Sequence, residues 1–467
     1  VVALVCVGAF VGQLDATIVQ LALPTLGRAF AAPLQHISWV ALAYLIAFAS
    51  FLPVFGRLCE MYGRKTLYLA GYALFIGASA LCALAADLPH LLAFRFLQGI
   101  GGALLGANSI SILVATVPAA SRGRALGYFA AAQAIGMSAG PALGGIILEA
   151  LGWRWIFGVT VPFGAVAMLL GWLVLPHTSA PLRRGGFDWA GALMIGPALV
   201  LIVAALNHLS HRGAGLALMA GGLGVAALLL WRLVRHEDRA PAPLINPRLY
   251  RAAGFRSGAA AVTLAYALLY GMFFLMSFAL EHGFGETPRA AGFRLAIIPV
   301  AIGLTAPFSS DVRAAIGPGR IGLAAMALCL GGLAILILTL GLSPDHHLYD
   351  SLAFGLIGVG LGLFIAPNSA ATIAAAPADL SGAAGSLLNL MRVLGTSLGV
   401  AFGATTLAWQ LGEGSGAAGT WASASQAELL AAARHSLPVL VPVALLAALL
   451  ARRTVTRPAR DAARSPG

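Results

Sequence analysis

The feature that most constrains this chain is a series of apolar runs, each about as long as a bilayer is thick when helical, separated by short polar loops. They fall at about 1–23, 37–56, 66–86, 89–117, 124–148, 155–175, 187–207, 214–234, 257–280, 290–310, 320–341, 348–376, 382–410 and 435–451. In lipid every backbone polar group must be satisfied within the segment, so runs of this length read as helices. The expected fold is an all-α polytopic membrane protein with 14 transmembrane helices. Composition agrees, since only 9% of the 467 residues are charged, against about a quarter in soluble domains.

If the first run starts inside, the inside loops and the C-terminal tail hold twenty of the 28 Lys and Arg residues and the outside holds six, with Arg95 and Arg392 left within spans. That bias places both termini in the cytoplasm, and the expected location is a bacterial plasma membrane. The net charge of +12 therefore sits in short loops, where it sets orientation, and nucleic acid is not an expected partner. The first run lacks a basic n-region and a clear cleavage site and reads as a retained helix. It opens at Val1, so a short cytoplasmic start is expected ahead of it. Cys6, Cys59, Cys82 and Cys329 are scattered and the histidines show no ligand spacing, so neither a disulfide framework nor a metal site is expected.

Leu92-Ala93-Phe94, with Gly102 and Asn108-Ser109, is matched 260 residues later by Leu352-Ala353-Phe354, Gly362 and Asn368-Ser369. Helix 4 then corresponds to helix 12, and helices 1–6 and 9–14 form two similar halves around an inserted pair. The expected organisation is a six-helix bundle over 1–176, helices 7 and 8 with a cytoplasmic linker over 177–256, a second bundle over 257–451, and a basic tail over 452–467. Residues 411–434 are expected to form an outside loop with a short helical piece near Gln426 to Arg434.

Within helix 5, Gly136, Gly140 and Gly144 recur every fourth residue, so they stack on one face and admit another backbone closely, while Pro141 breaks the hydrogen-bond ladder beside them. With Gly145, the stretch reads G-M-S-A-G-P-A-L-G-G. This resembles the antiporter signature of the major facilitator superfamily, roughly G-x-x-x-G-P-x-x-G-G, and every fixed position is filled. The loop after helix 2, Gly56 to Lys65, is similar to that superfamily's G-x-L-x-D-R-x-G-R-[RK] loop, with Gly56, Glu60, Gly63, Arg64 and Lys65 as the latch residues. Glu60 stands for the usual Asp and Met61 for the usual basic residue. Independently of the resemblance, its glycines permit a tight turn and its basic residues suit acidic groups or helix C-termini. Asp311 to Arg320 looks like a degenerate copy.

An ionisable group within a span usually faces a cavity or a partner. Asp15 in helix 1 and Arg95 in helix 4 are placed at similar depths, where they either meet or share a water-filled cavity. A carboxylate beside a cation holds its proton weakly and one in an apolar pocket holds it strongly, so movement between such settings couples to protons; a fixed structural pair is the alternative. The stretch around Asp15 resembles L-D-x-T-I-V-N-V-A-L-P of the fourteen-helix drug:proton antiporters, and Arg95 to Gly102 is similar to the superfamily motif R-x-x-Q-G-x-G. Arg392, with Asn389 one turn before it, reads as a conformational or cavity residue or as a buried structural cation. Asn108, Phe129, Gln133 and Met137 read as cavity residues or, for the polar ones, as interhelical glue.

The resemblance implies two six-helix bundles plus an inserted pair, and a proton-coupled exporter of lipophilic or cationic compounds working by alternating access. It implies no cofactor beyond the proton gradient. Expected partners are the bilayer, protons and lipophilic small molecules; a periplasmic adaptor is left open. An enzyme would need paired carboxylates, a His cluster or a nucleophile with its base at one membrane face, and none stands out. A channel would need a repeated filter or a charge ring. A dedicated exporter of one metabolite or lipid is the alternative within transporters, and a non-transporting receptor the alternative outside them.

Overall fold

The computed structural model describes residues 1–118, 121–176, 187–207, 214–240, 243–342, 346–412 and 421–456. The junction at 177 and the tail beyond 456 lie outside the described residues. Among those described, fourteen helices are long and apolar enough to cross a membrane. In chain order they are α1 (Val2–Ala29), α2 (Leu34–Cys59), α3 (Arg64–Ala83), α4 (Leu88–Thr116), α5 (Arg124–Leu151), α6 (Arg154–Val174), α7 (Trp189–Leu206), α8 (Ala217–Glu237), α9 (Ala253–Gly283), α10 (Pro288–Ile316), α11 (Pro318–Thr339), α12 (His347–Ala374), α13 (Ser381–Gln410) and α14 (Gln426–Arg453).

The ends of several helices follow from local chemistry. Asp87 accepts a bond from the His90 amide at 2.9 Å at the start of α4, and this bond holds its carboxyl below the usual range. Thr287 caps α10 through the Ala290 amide, and Ser425 and Glu428 form a reciprocal capping box at α14. Gly63 before α3 and Gly317 before α11 both adopt the left-handed region, with φ of +97° and +89°. The loop and its degenerate copy thus share one backbone turn that a side chain would strain.

Several boundaries differ from the sequence reading, α10 among them, which runs to Ile316 rather than 310, and two of the differences bear on contacts across the molecule. Helix α1 runs through Pro24 to Ala29, six residues past the expected stop at 23. The segment after Pro24 is held by the opposite half, since Thr25 and Arg28 both bond Glu281. The piece at Gln426 to Arg434 is not a separate loop helix: it continues through a short tight turn at Leu437–Val439 into the last span.

The packing pairs recur eight helices apart. In the first half α1 packs on α5, α2 and α3 on α4, and α3 on α6; in the second α9 packs on α13, α10 and α11 on α12, and α11 on α14. Two six-helix bundles of one design are the result. They meet through α1 against α9, α2 against α13, and α5 against α10. The inserted α7 and α8 pack on each other, and α7 lies on both α2 and α13, where the Thr405 hydroxyl donates to the Leu206 carbonyl at 3.0 Å.

Candidate functional site

Because odd-numbered helices run away from the face that carries the chain ends and even-numbered ones run back, each residue's depth can be read from its helix. A cavity of about 260 Å³ lies between the halves. Much of its lining comes from the half of the bundle near the chain ends: Ser109 of α4, Phe129 and Gln133 of α5, Ser369 of α12, and Gly385 and Asn389 of α13. Tyr44, Tyr266, Tyr270 and Arg392 surround its deeper part.

The opposite end is closed by contacts between the halves. A Cβ at Gly145 of α5 would stand 2.4 Å from the Pro288 carbonyl of α10, and one at Gly292 would stand 2.3 Å from the Pro141 carbonyl. Arg28 of α1 pairs with Glu281 of α9 at 2.9 Å, within a π-helical turn at Ala279–Gly283. The fully buried Trp421 packs on Gly27 and donates its indole N–H to the Ala32 carbonyl at 2.9 Å.

The glycine stripe of α5 divides its work. A Cβ at Gly136 would stand 2.4 Å from the Phe10 carbonyl, and those at Gly140 and Gly144 would meet Thr17 and Ile18, all on α1. The stripe therefore packs inside the first half, whereas Pro141 and Gly145 reach across to the second.

Asp15 and Arg95 meet. Arg95 Nη1 donates to Asp15 Oδ2 at 2.9 Å, its Nε donates to the Val40 carbonyl at 2.9 Å, and the two side chains are 0% and 1% exposed. Gln98, one turn on, donates to Asp15 Oδ1 at 3.0 Å, accepts a second bond from Arg95, and also bonds Ser79. The guanidinium lies 4.4 Å from the Tyr44 ring centroid. Four helices of the first half thus satisfy one ion pair, and neither Asp15 nor Arg95 lines the cavity.

Arg392 is partly buried and lines the cavity. Its Nε donates to the Tyr266 hydroxyl at 2.8 Å, its Nη2 bonds the same oxygen, and its guanidinium lies 5.0 Å from that ring's centroid. Of the other expected cavity residues, Phe129, Gln133 and Asn389 line it, whereas Asn108 and Met137 do not. Asn108 is fully buried and donates to the Leu104 carbonyl one turn back, and its neighbour Ser109 takes the cavity position instead. Met137 belongs to the buried core. Successive residues of a helix point about 100° apart, so a shift of one position exchanges cavity for core.

In the expected latch, Gly56 has open space around it and Gly63 forms the turn. Lys65 Nζ donates to the carbonyls of Trp172 and Leu175 at 2.8 and 2.6 Å, so it caps the C-terminal end of α6. Arg64 is partly exposed, and the side chain of Glu60 lies outside the described residues.

Gln98, Tyr44, Tyr266 and Glu281 do more than the sequence reading assigned to them. In the sequence Gln98 stands out only as a position of the Arg95 to Gly102 motif. Glu281 lies one residue past the expected end of its apolar run at 280. Tyr266 carries no linear signal, since its partner is 126 residues away.

Two pseudo-symmetric helical bundles enclosing a central cavity in a bilayer-spanning chain define a polytopic membrane transporter. The chain belongs to the Major Facilitator Superfamily, which it matches over residues 5–400. A riboflavin transporter of Clostridioides difficile is 30% identical, over 86% of each chain. The tetracenomycin C resistance and export protein of Streptomyces glaucescens is 29% identical over 88% of this chain and 76% of that protein, and the multidrug resistance protein Stp of Mycobacterium tuberculosis is 30% identical over 86% and 74%. Such relatives support the drug-exporter branch and a transporter rather than an enzyme. Among solved structures, a D-xylose–proton symporter aligns with a TM-score of 0.66 at 13% identity over 96% of each chain. A bacterial homologue of the human lysosomal transporter Spinster, inward-facing and occupied, gives 0.65 at 16% identity over 98% of this chain and 97% of that one. At those identities the likeness is one of fold.

Proposed function

We propose that this chain is a proton-coupled exporter of lipophilic aromatic compounds that works by alternating access. The observation that carries this reading is the sealed Asp15–Arg95–Gln98 cluster, set in the first half directly behind the cavity wall. Protonating Asp15 removes the charge that Arg95 pairs with, so the four helices holding the pair lose their common anchor. The first half would then be free to change its contact with the second. With both termini in the cytoplasm, as the arginine bias indicates, the cavity takes substrate from the inner side while the Gly145–Pro288 and Arg28–Glu281 contacts close the outer side. Their separation would release substrate outside. Lys65 on the end of α6 and the Gly63 turn act as the hinge of the inner side.

A dedicated metabolite exporter is the second reading, favoured by the 30% identity to a riboflavin transporter. Everted membrane vesicles test the first: they are energised with ATP and offered neutral, anionic and cationic aromatic dyes, with and without a protonophore. The expected result is accumulation of several dyes that the protonophore abolishes and that Asp15→Asn fails to produce at normal membrane level. Protonophore-insensitive accumulation, or full accumulation by Asp15→Asn, would overturn proton coupling through Asp15. Accumulation of none of the dyes would favour the dedicated exporter.

A further inference from the structure

We propose that the central cavity recognises planar aromatic compounds bearing an anionic group, and that Arg392 selects them over organic cations. The preference, which rests on the exporter reading only for the direction of movement, follows from the charge of the lining. Among the described residues, Arg392 is the sole charged side chain facing the cavity. The neighbouring carboxylate, Asp15, is fully buried and has both oxygens bonded to Arg95 and Gln98. The cavity therefore carries one positive charge with no carboxylate to cancel it.

The hydroxyl of Tyr266 holds the guanidinium in place but leaves its charge uncompensated. A partly buried cation with a neutral partner gains most from an arriving anion, because charge-assisted bonds are stronger than neutral ones and the low dielectric amplifies them. A ligand cation would meet repulsion instead. Aromatic faces attract cations, but Tyr266 already holds Arg392 against its ring, and a ligand cation over the other rings would share the cavity with that uncompensated like charge. Flatness is specified by the walls: Tyr266 and Tyr270 stand nearly parallel, with 16° between their planes and centroids 6.5 Å apart, and Phe48, Phe75 and Phe129 complete an apolar slot. Asn389, one turn before Arg392, supplies a polar anchor next to the charge.

Two xanthene dyes of like skeleton and opposite charge test the proposal: anionic fluorescein and cationic pyronin Y, titrated by fluorescence anisotropy against the full-length protein in lipid nanodiscs. Fluorescein is expected to bind roughly ten-fold or more tightly than pyronin Y. Arg392→Gln should bring the two affinities to within about three-fold, and Arg392→Lys should retain part of the gap, since it keeps the charge and loses the planar fork. Pyronin Y binding as tightly as fluorescein, neither dye binding, or an unchanged gap in Arg392→Gln that unfolds at the intact protein's temperature would each overturn the proposal. If Arg392→Gln does not fold, the dye preference of the intact protein and the Arg392→Lys variant decide. Everted vesicles separate the two readings. Gradient-driven accumulation of pyronin Y without a fluorescein preference sinks the anion site and keeps the exporter. Selective fluorescein binding without accumulation of either dye keeps the site and sinks the exporter.

Discussion

Arg95 and Arg392 are both arginines inside membrane spans, yet they occupy opposite kinds of surroundings. Arg95 lies within one half, 1% exposed, with a carboxylate, a carbonyl and a glutamine satisfying it. Arg392 lies at the seam between halves, open to the cavity, with one neutral tyrosine as its hydrogen-bond partner among the described residues. The same division runs through the other candidate residues. Gly136 packs on α1 of its own half and Gly145 on α10 of the other; Asn108 is buried inside the first half and Asn389 faces the cavity. A residue enclosed in one half takes part in that half's internal balance, whereas a residue at the seam meets whatever moves there.

The comparison is broken most directly at the arginines. Removing one partner of a buried ion pair leaves the other charge unpaired, so Arg95→Ala is expected to destabilise the protein by about 3–5 kcal/mol. Arg392→Ala leaves no unpaired carboxylate behind and should cost about 1–2 kcal/mol, mainly the lost bonds to Tyr266. Thermal unfolding of both variants in detergent gives the ranking, and equal losses would mean that Arg392 is as deeply committed to its half as Arg95.

The glycines sharpen the comparison by separating stability from movement. A Cβ at Gly136 or at Gly145 meets a backbone carbonyl at 2.4 Å in either case, so the steric insult is matched. Gly136→Val should lower stability by about 1–3 kcal/mol through overpacking against α1. Gly145→Val can be relieved by parting the halves, so its unfolding temperature should change less while gradient-driven transport falls roughly ten-fold. A cysteine placed at Thr396, which lines the cavity, should label faster in intact cells carrying Gly145→Val than in the parent when a membrane-impermeant reagent is added from the outer side. Unchanged labelling would show that this contact does not hold the outer side shut.

The smallest effect is expected at the two asparagines. Asn389→Ala removes a polar anchor from the cavity and should weaken dye binding about three- to ten-fold, in line with one lost hydrogen bond. Asn108→Ala should change binding less than about two-fold, because that side chain bonds its own helix. Isothermal titration with the preferred dye measures both, and a larger loss at Asn108 would return it to the cavity.

The sequence by itself determined the membrane class, the number of spans, the superfamily and its branch, and the similar depth of Asp15 and Arg95; of the two arrangements it left open for them, the structure chose direct contact. Apolar run length is a one-dimensional quantity that the bilayer thickness converts directly into helices, and a charge at membrane depth faces either a partner, as Arg95 does, or a cavity, as Arg392 does. The Gly63 turn was legible for the same reason, since it acts within a few residues. Only the tertiary structure decided which face of each helix turns toward the cavity. In so apolar a chain, with lipid, core and cavity all lined by Ala, Leu and Gly, periodicity does not mark the inward side, and so Ser109 faces the site rather than Asn108, and Met137 turns to the core while the expected Phe129 and Gln133 line the cavity. The neighbour of the glycine stripe, the hold of Tyr266 on Arg392, and the reach of α1 past Pro24 to Glu281 likewise depend on contacts spanning more than a hundred residues, which packing between helices fixes and no local pattern encodes.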